Sequence, residues 1–385
     1  MSATRDAAFG CPHFPRCPGC PWVGRPYPDQ LESKRVRTLT AIASALPDFD
    51  ASRVAAVEAA PSATDYRVQT KLMVAAAARG PVLGLYAPGS HRVLDVSGCP
   101  LHDRLLQRAI PAVRDVLAAE RIPIHDRHRA GVRYVLLRAS LSQARVLVTL
   151  VTSRMPLPGV DRIARRLRAL LPLAGLLVNE NASRGNVILG TNTTRVWGEA
   201  VLRERYGAVT LAAGPTAFVQ ANTAMATRIY AAIARAAALD GTARVLDLYC
   251  GVGGIALTLA PGARAVLGVE EVAPAVAAAR ANGERNGARH ARFVAARVEE
   301  ALAHLDEPFD VVAMNPPRKG CGPAVVRRLV ALAPPRVLYL SCHPDSFARD
   351  AADLAAGGLA LERVQPFDLL PQTDHVELLG TFVLR

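Results

Sequence analysis

Val245-Leu-Asp-Leu-Tyr-Cys-Gly-Val-Gly-Gly254 is an apolar strand that runs into a glycine-rich turn and then a helix. A strand that feeds a helix in this way reads as part of a parallel sheet, whose crossovers are helical. Working outward from it, further strands are read at Ala265 to Glu270, Ala291 to Ala295, Asp310 to Met314, Arg336 to Leu340, Leu361 to Val364 and Glu377 to Leu384. With the strand at Arg244 to Tyr249 these make seven, separated by helices such as Ala273 to Asn286. The alternation begins near Gly214 and predicts a doubly wound α/β domain over residues 213–385.

Glycines in the turn let the backbone approach a nucleotide-like ligand. Glu270, nineteen residues after Gly251 at the end of the next strand, can accept both ribose hydroxyls. Gly251, Gly253 and Ala256 also satisfy the loose fingerprint of a dinucleotide dehydrogenase. Asp247 opposes that reading, because a carboxylate beside the turn repels a pyrophosphate, whereas S-adenosylmethionine brings no phosphate and offers an ammonium. Asn315-Pro-Pro-Arg318 follows the fourth strand, where a methyl acceptor would meet such a cofactor. Adenine-amino methyltransferases carry an aromatic residue after such a run, so Arg318 points away from them.

The fifth strand delivers Cys342 at its carboxyl end, in the turn before a helix opened by Pro344 and Asp345. A helix amino-terminus lowers a thiol's pKa, which predicts a thiolate; outside such a setting a lone cysteine is a small apolar residue. Glu377, thirty-five residues on, opens the last strand. Carbon-5 of uracil is too weak a nucleophile to take a methyl group unaided. A thiolate adding at carbon-6 creates an enolate that can, and a base must then remove the carbon-5 proton. Cysteine plus carboxylate is the minimum set for that chemistry.

The amino-terminal half differs in charge. Residues 1–212 hold 29 Lys and Arg against 16 Asp and Glu, whereas residues 213–385 hold 17 of each, so the whole net charge of +13 lies in the first half. A basic half joined to a neutral one fits a nucleic-acid-holding module attached to a catalytic domain. Cys11, Cys17 and Cys20 form a C-x5-C-x2-C run among Pro and Gly, with Cys99 as a distant fourth. Such a set suits zinc or an iron-sulfur cluster, and spacing alone barely separates the two. Residues 1–60 are read as this cysteine segment followed by a helix at Pro28 to Leu46, whose Leu31, Val36, Leu39 and Ile42 predict its apolar face.

Residues 61–212 are read as a mixed α+β RNA-binding module. Its strands fall at Thr70 to Val74, Val82 to Tyr86, Arg133 to Ala139, Arg145 to Thr152, Gly175 to Asn179 and Asn186 to Leu189, with helices near Asp103 to Glu120 and Val160 to Leu171. Arg67, Lys71, Arg133 and Arg138 lie where they could reach phosphates. No lipid-spanning run or signal-peptide apolar region appears, which predicts a cytoplasmic protein without membrane contact.

The ordered set of Cys11, Cys17, Cys20 and Cys99, Tyr66-Arg67, Phe218-Val-Gln-Ala-Asn222, the glycine turn, Asn315-Pro-Pro-Arg-Lys-Gly320, Ser341-Cys342, Pro366-Phe-Asp368 and His375-Val-Glu377 resembles the RNA uracil-5 methyltransferases of the TrmA/RlmD/RlmC family. The resemblance implies a Rossmann-like seven-stranded S-adenosylmethionine-dependent domain. It also implies Cys342 as nucleophile, Glu377 as base, cofactor contacts from Gln220, Tyr249, Glu270 and Asn315, and a [4Fe-4S] cluster on the four amino-terminal cysteines. Tyr249, His343 and Gln372 stand where the family commonly has Phe, Asn and His. The cysteines, together with a start at them that leaves no room for an extra barrel, make the RlmC branch the nearest, with 23S ribosomal RNA as the expected partner. Transfer RNA, cytosine-5 methylation by the same thiolate addition, and a catalytically silent RNA-binding protein are the alternatives.

Overall fold

The computed structural model describes residues 10–385 apart from 127, 184 and 186. Helix α1 (Tyr27–Ala45) leads into a seven-stranded sheet of β1 (Gln69–Ala77), β2 (Gly80–Tyr86), β3 (Val93–Asp95), β4 (Val132–Ser140), β5 (Arg145–Thr152), β6 (Leu173–Glu180) and β7 (Asn192–Gly198). Its order is β3-β2-β1-β4-β5-β6-β7. Only β5 and β6 run parallel, and between them the chain crosses over through α3 (Val160–Leu170). α2 (Arg104–Ala119) is capped by Asp103, whose carboxylate accepts the Leu105 N–H at 2.9 Å. It buries Leu106, Ile110, Val113 and Leu117, one apolar stripe at helical spacing, beside α3 in the core of this sheet.

A hairpin of β8 (Leu202–Tyr206) and β9 (Val209–Ala213) joins this module to the second sheet. That sheet contains β10 (Arg244–Leu248), β11 (Ala265–Glu270), β12 (Ala291–Ala295), β13 (Val311–Met314), β14 (Arg336–Ser341), β15 (Leu359–Phe367) and β16 (Glu377–Leu384), in the order β12-β11-β10-β13-β14-β16-β15. Its first five strands in that order are parallel, and β16 is inserted antiparallel between β14 and β15. The chain order reverses between β10 and β13, so the crevice for a ligand opens at their carboxyl ends. One face is covered by α4 (Thr223–Ala237), α5 (Gly254–Leu259) and α6 (Ala273–Arg285), the other by α7 (Val298–Ala303), α8 (Pro323–Leu332) and α9 (Pro344–Ala356). The seven strands expected from the sequence are all present.

The amino-terminal half departs from expectation in places. No strand forms at 187–189, and Asn186 lies outside the described residues. The Asn181 side-chain amide donates to the carbonyls of Val187 and Ile188 at 2.6 and 2.9 Å, so these carbonyls bond a side chain instead of a neighbouring strand. The β8–β9 hairpin packs Tyr206, Val209 and Leu211 among α4, α5 and α6. Helix α1 lies against α9, with Ile42 in the core of the second sheet. Its buried face is not the expected apolar one: Tyr27, Gln30, Lys34 and Thr38 are buried with Ile42, whereas Val36 is 50% exposed. The helix meets polar backbone as well as core, which hydrophobic periodicity cannot register.

Candidate active site

The chain leaves β10 through Tyr249, Gly251 and Gly253, all with positive φ (60°, 55° and 91°). Glycine makes that left-handed path free of steric cost at two of the three. Asp247, fully buried at the end of β10, accepts the Ala256 N–H at 2.8 Å through Oδ2, while its Oδ1 has no hydrogen-bond partner among the described residues. Burial pushes this carboxyl up to about 8. An unpaired buried carboxylate oxygen beside the turn suits a cationic ligand and would repel a phosphate. Gln220, Tyr249 and Asn315 line the depression there with Asp247 and Gly251. Glu270, at the end of β11, supports it from below by accepting the N–H groups of Gly251 and Val272 at 3.1 and 2.9 Å.

Cys342 and Glu377 are brought together by strand register. β14 and β16 pair antiparallel as far as Ser341 opposite Leu378, so Cys342 and Glu377 are the next residues at the same end of the two strands. Burial pushes the Glu377 carboxyl up to about 8 against the lowering effect of Arg318. Cys342, half-buried, is raised by burial and next by Glu377, with Arg318 opposing both. The thiolate expected from the start of α9 is therefore corrected: removal from water and a neighbouring carboxylate outweigh the helix end.

Arg318, which the sequence used only to set adenine aside, faces this pair. Its Nη2 lies 2.7 Å from Nδ1 of His375, which burial and then Arg318 hold below the ordinary imidazole value, so the neutral ring can accept from the guanidinium. The loop carrying Arg318 is pinned by buried Asp350, whose carboxylate accepts the Cys321 N–H at 2.7 Å and the Tyr339 hydroxyl at 2.9 Å. A Cβ on Gly320 would come within 2.3 Å of that carboxylate, and φ there is +84°, so only glycine fits.

Cys11, Cys17, Cys20 and Cys99, each half-buried, line one cavity of about 410 Å³ against the first sheet. Burial and then Cys99 push the Cys20 thiol up to about 12. His13 Nε2 and His102 Nδ1, also at this cavity, are buried without hydrogen-bond partners among the described residues. No group of three or more His, Cys, Asp or Glu among the described residues is arranged to hold a single metal ion. Arg67 and Lys71 line the same cavity. Arg133 and Arg138 are otherwise engaged. Arg133 donates to the carbonyls of Asn181 and Ser183, and Arg138 to those of Ala213, Gly214 and Ala217. Both tie backbone together, a role the strand pattern did not reveal.

This sheet order, with a glycine turn and acidic residues at its switch point, defines an S-adenosylmethionine-dependent methyltransferase. Residues 208–385 match the family model described as tRNA (Uracil-5-)-methyltransferase. An uncharacterized RNA methyltransferase of Geobacter sulfurreducens is 37% identical across all of this chain and 79% of its own length. One of Gloeobacter violaceus is 36% identical over 96% of this chain and 81% of its own. The solved structure of Pyrococcus abyssi tRNA (uracil-54, C5)-methyltransferase in complex with S-adenosyl-L-homocysteine is similar with a TM-score of 0.79 and 27% identity, covering 96% of this chain and 86% of that one. The chain belongs to the RNA uracil-5 methyltransferase family, and its reaction is S-adenosylmethionine-dependent methylation of carbon-5 of uracil in RNA. No helix among the described residues is long and apolar enough to cross a membrane.

Proposed function

We propose that the methyl acceptor is a uridine of 23S ribosomal RNA and that transfer passes through a covalent adduct between Cys342 and uracil carbon-6. The observation that supports the mechanism is the pairing of Ser341 with Leu378, after which Cys342 and Glu377 follow at the same end of adjoining strands. Gln220, Tyr249, Glu270 and Asn315 would hold S-adenosylmethionine, with Asp247 facing its ammonium. When bound, it supplies the methyl group as an electrophile.

The protein's own groups do the rest. The Cys342 thiol loses its proton to water, its sulfur bonds to carbon-6, and the electron pair of the 5,6 double bond moves towards carbon-5 and oxygen-4. Carbon-5 is thereby made nucleophilic enough to take the methyl group. Glu377 then accepts the carbon-5 proton, the double bond reforms and the carbon-sulfur bond breaks. Cys342 and Glu377 raise the energy of a second negative charge between them. Arg318 is placed to offset charge on either group.

Cys11, Cys17, Cys20 and Cys99 would hold a [4Fe-4S] cluster with a structural role. What supports a shared site is that the four thiols line one cavity, and the iron-sulfur reading rests on the resemblance. The ribosomal target rests on the resemblance of the cysteine set. A transfer RNA target is favoured instead by the likeness to the Pyrococcus abyssi enzyme. Nucleosides from ribosomal and transfer RNA of a strain lacking this gene separate the two: loss of 5-methyluridine from 23S ribosomal RNA alone supports the proposal. Loss from transfer RNA alone transfers it, and gain of 5-methylcytidine in RNA treated in vitro overturns the uracil chemistry.

A further inference from the structure

Residues 368–374, the segment between β15 and the strand that starts at Glu377, form no regular structure, yet Asp368, Pro371, Gln372 and Thr373 are buried. A buried loop must have its backbone polar groups satisfied from elsewhere. Here the partners come mostly from the amino-terminal end of the chain. The Leu369 carbonyl accepts from Asn222 at 3.1 Å, that of Leu370 from Lys34 at 3.3 Å and that of Pro371 from the Tyr66 hydroxyl at 2.9 Å. The Gln372 carbonyl accepts from the Trp22 N–H at 3.2 Å, and that of Asp374 from Arg37 at 3.0 Å. Gln30 and Gln372 are doubly bonded: the Gln30 amide donates to Gln372 Oε1, and the Gln372 N–H donates to Gln30 Oε1, each at 3.0 Å.

Gln372 sits at φ +70°, a conformation that costs a non-glycine residue energy and persists only where the surroundings hold it. Its holder is Gln30. Gln30, Lys34 and Arg37 fall at i, i+4 and i+7 of α1, one helical stripe aimed along this segment. The segment ends three residues before the carboxylate that must stand opposite Cys342.

We infer that Gln30, Lys34 and Arg37 are positioning residues for release of the covalent adduct: α1 fixes the backbone path of 368–374 and thereby steadies the start of β16, from which Glu377 acts at Cys342. The inference rests on the reading of Glu377 as base. It makes the amino-terminal helix part of the catalytic apparatus.

The test follows adduct formation and decay separately, by quenched-flow and denaturing gels, in full-length Gln30→Leu, Arg37→Ala and Glu377→Gln proteins. Gln30→Leu should form adduct at the wild-type rate and release it ten- to a hundredfold more slowly. Its release should also lose the inflection near pH 8 as the loosened carboxylate meets water. Arg37→Ala, which alters an exposed rim, should slow the same step two- to fivefold and decides the matter if Gln30→Leu does not fold. Wild-type release rates and pH profiles in these two variants, alongside a stalled Glu377→Gln adduct, overturn the inference alone. Normal release in Glu377→Gln overturns the base assignment instead.

Discussion

Replacing Lys34 by Met should destabilise the protein strongly at alkaline pH and much less at acid pH. Lys34 Nζ and Asp368 Oδ1 are 2.5 Å apart, and both side chains are 0% exposed. At an effective dielectric of 20 their gross attraction is about 7 kcal/mol. Part of this is offset because Met avoids the desolvation of a buried ammonium. Breaking a buried pair from one side typically leaves a net loss of about 3–5 kcal/mol.

The sign with pH follows from the remaining acid. Burial raises the Asp368 carboxyl and Lys34 opposes that effect. Without Lys34 the folded protein holds a proton there that the unfolded chain releases in the ordinary carboxylate range. Stability of the variant therefore falls by about 1.4 kcal/mol per pH unit above that range until the folded-state carboxyl itself ionises, and the fall runs further than in wild type, where Lys34 holds the raised carboxyl down. Urea unfolding at pH 5 and pH 8 measures it, with Lys34→Met/Asp368→Leu as the matched apolar pair expected to recover most of the loss. A Lys34→Met loss below about 1 kcal/mol at pH 8, or one equal at both pH values, would refute the reasoning.

Three further outcomes are expected. The release step of wild-type enzyme should quicken as pH rises and level off near pH 8, because Glu377 is raised to about 8 and only its ionised form takes a proton; a flat profile counts against that base. Asp247→Asn should weaken S-adenosylmethionine at least tenfold in calorimetry while leaving RNA binding unchanged, since its Oδ1 is the unpaired buried acceptor at the turn. Anaerobically prepared protein should be brown and contain about four irons per chain, and Cys20→Ser should lose both colour and iron. A colourless preparation with one zinc would settle the cysteines the other way.

The catalytic domain was legible because its information is local. Each parallel strand is a short apolar run, and each functional residue sits at a strand's end, so Asp247, Glu270, Asn315 and Cys342 could be placed without coordinates. Glu377 was placed because antiparallel β16 returns to that same end. What escaped depends on long-range partners. Lys34 carried no signal of its own in the sequence, because the Asp368 that faces it lies 334 residues away. Arg138 looked like a phosphate contact until the linker carbonyls closed on it. The thiol's environment was misjudged because a helix start is written in Pro344, whereas the opposing Glu377 is written only in the register.

The adduct itself is the most direct test. RNA carrying 5-fluorouridine at the target offers Glu377 no carbon-5 proton to remove, so the sulfur bond should persist after methyl transfer. Mass spectrometry of the digested complex should find a methylated fluoropyrimidine nucleotide on the peptide containing Cys342. Complete methyl transfer to ordinary RNA by a Cys342→Ala enzyme, or a modified peptide that lacks Cys342, would contradict the account.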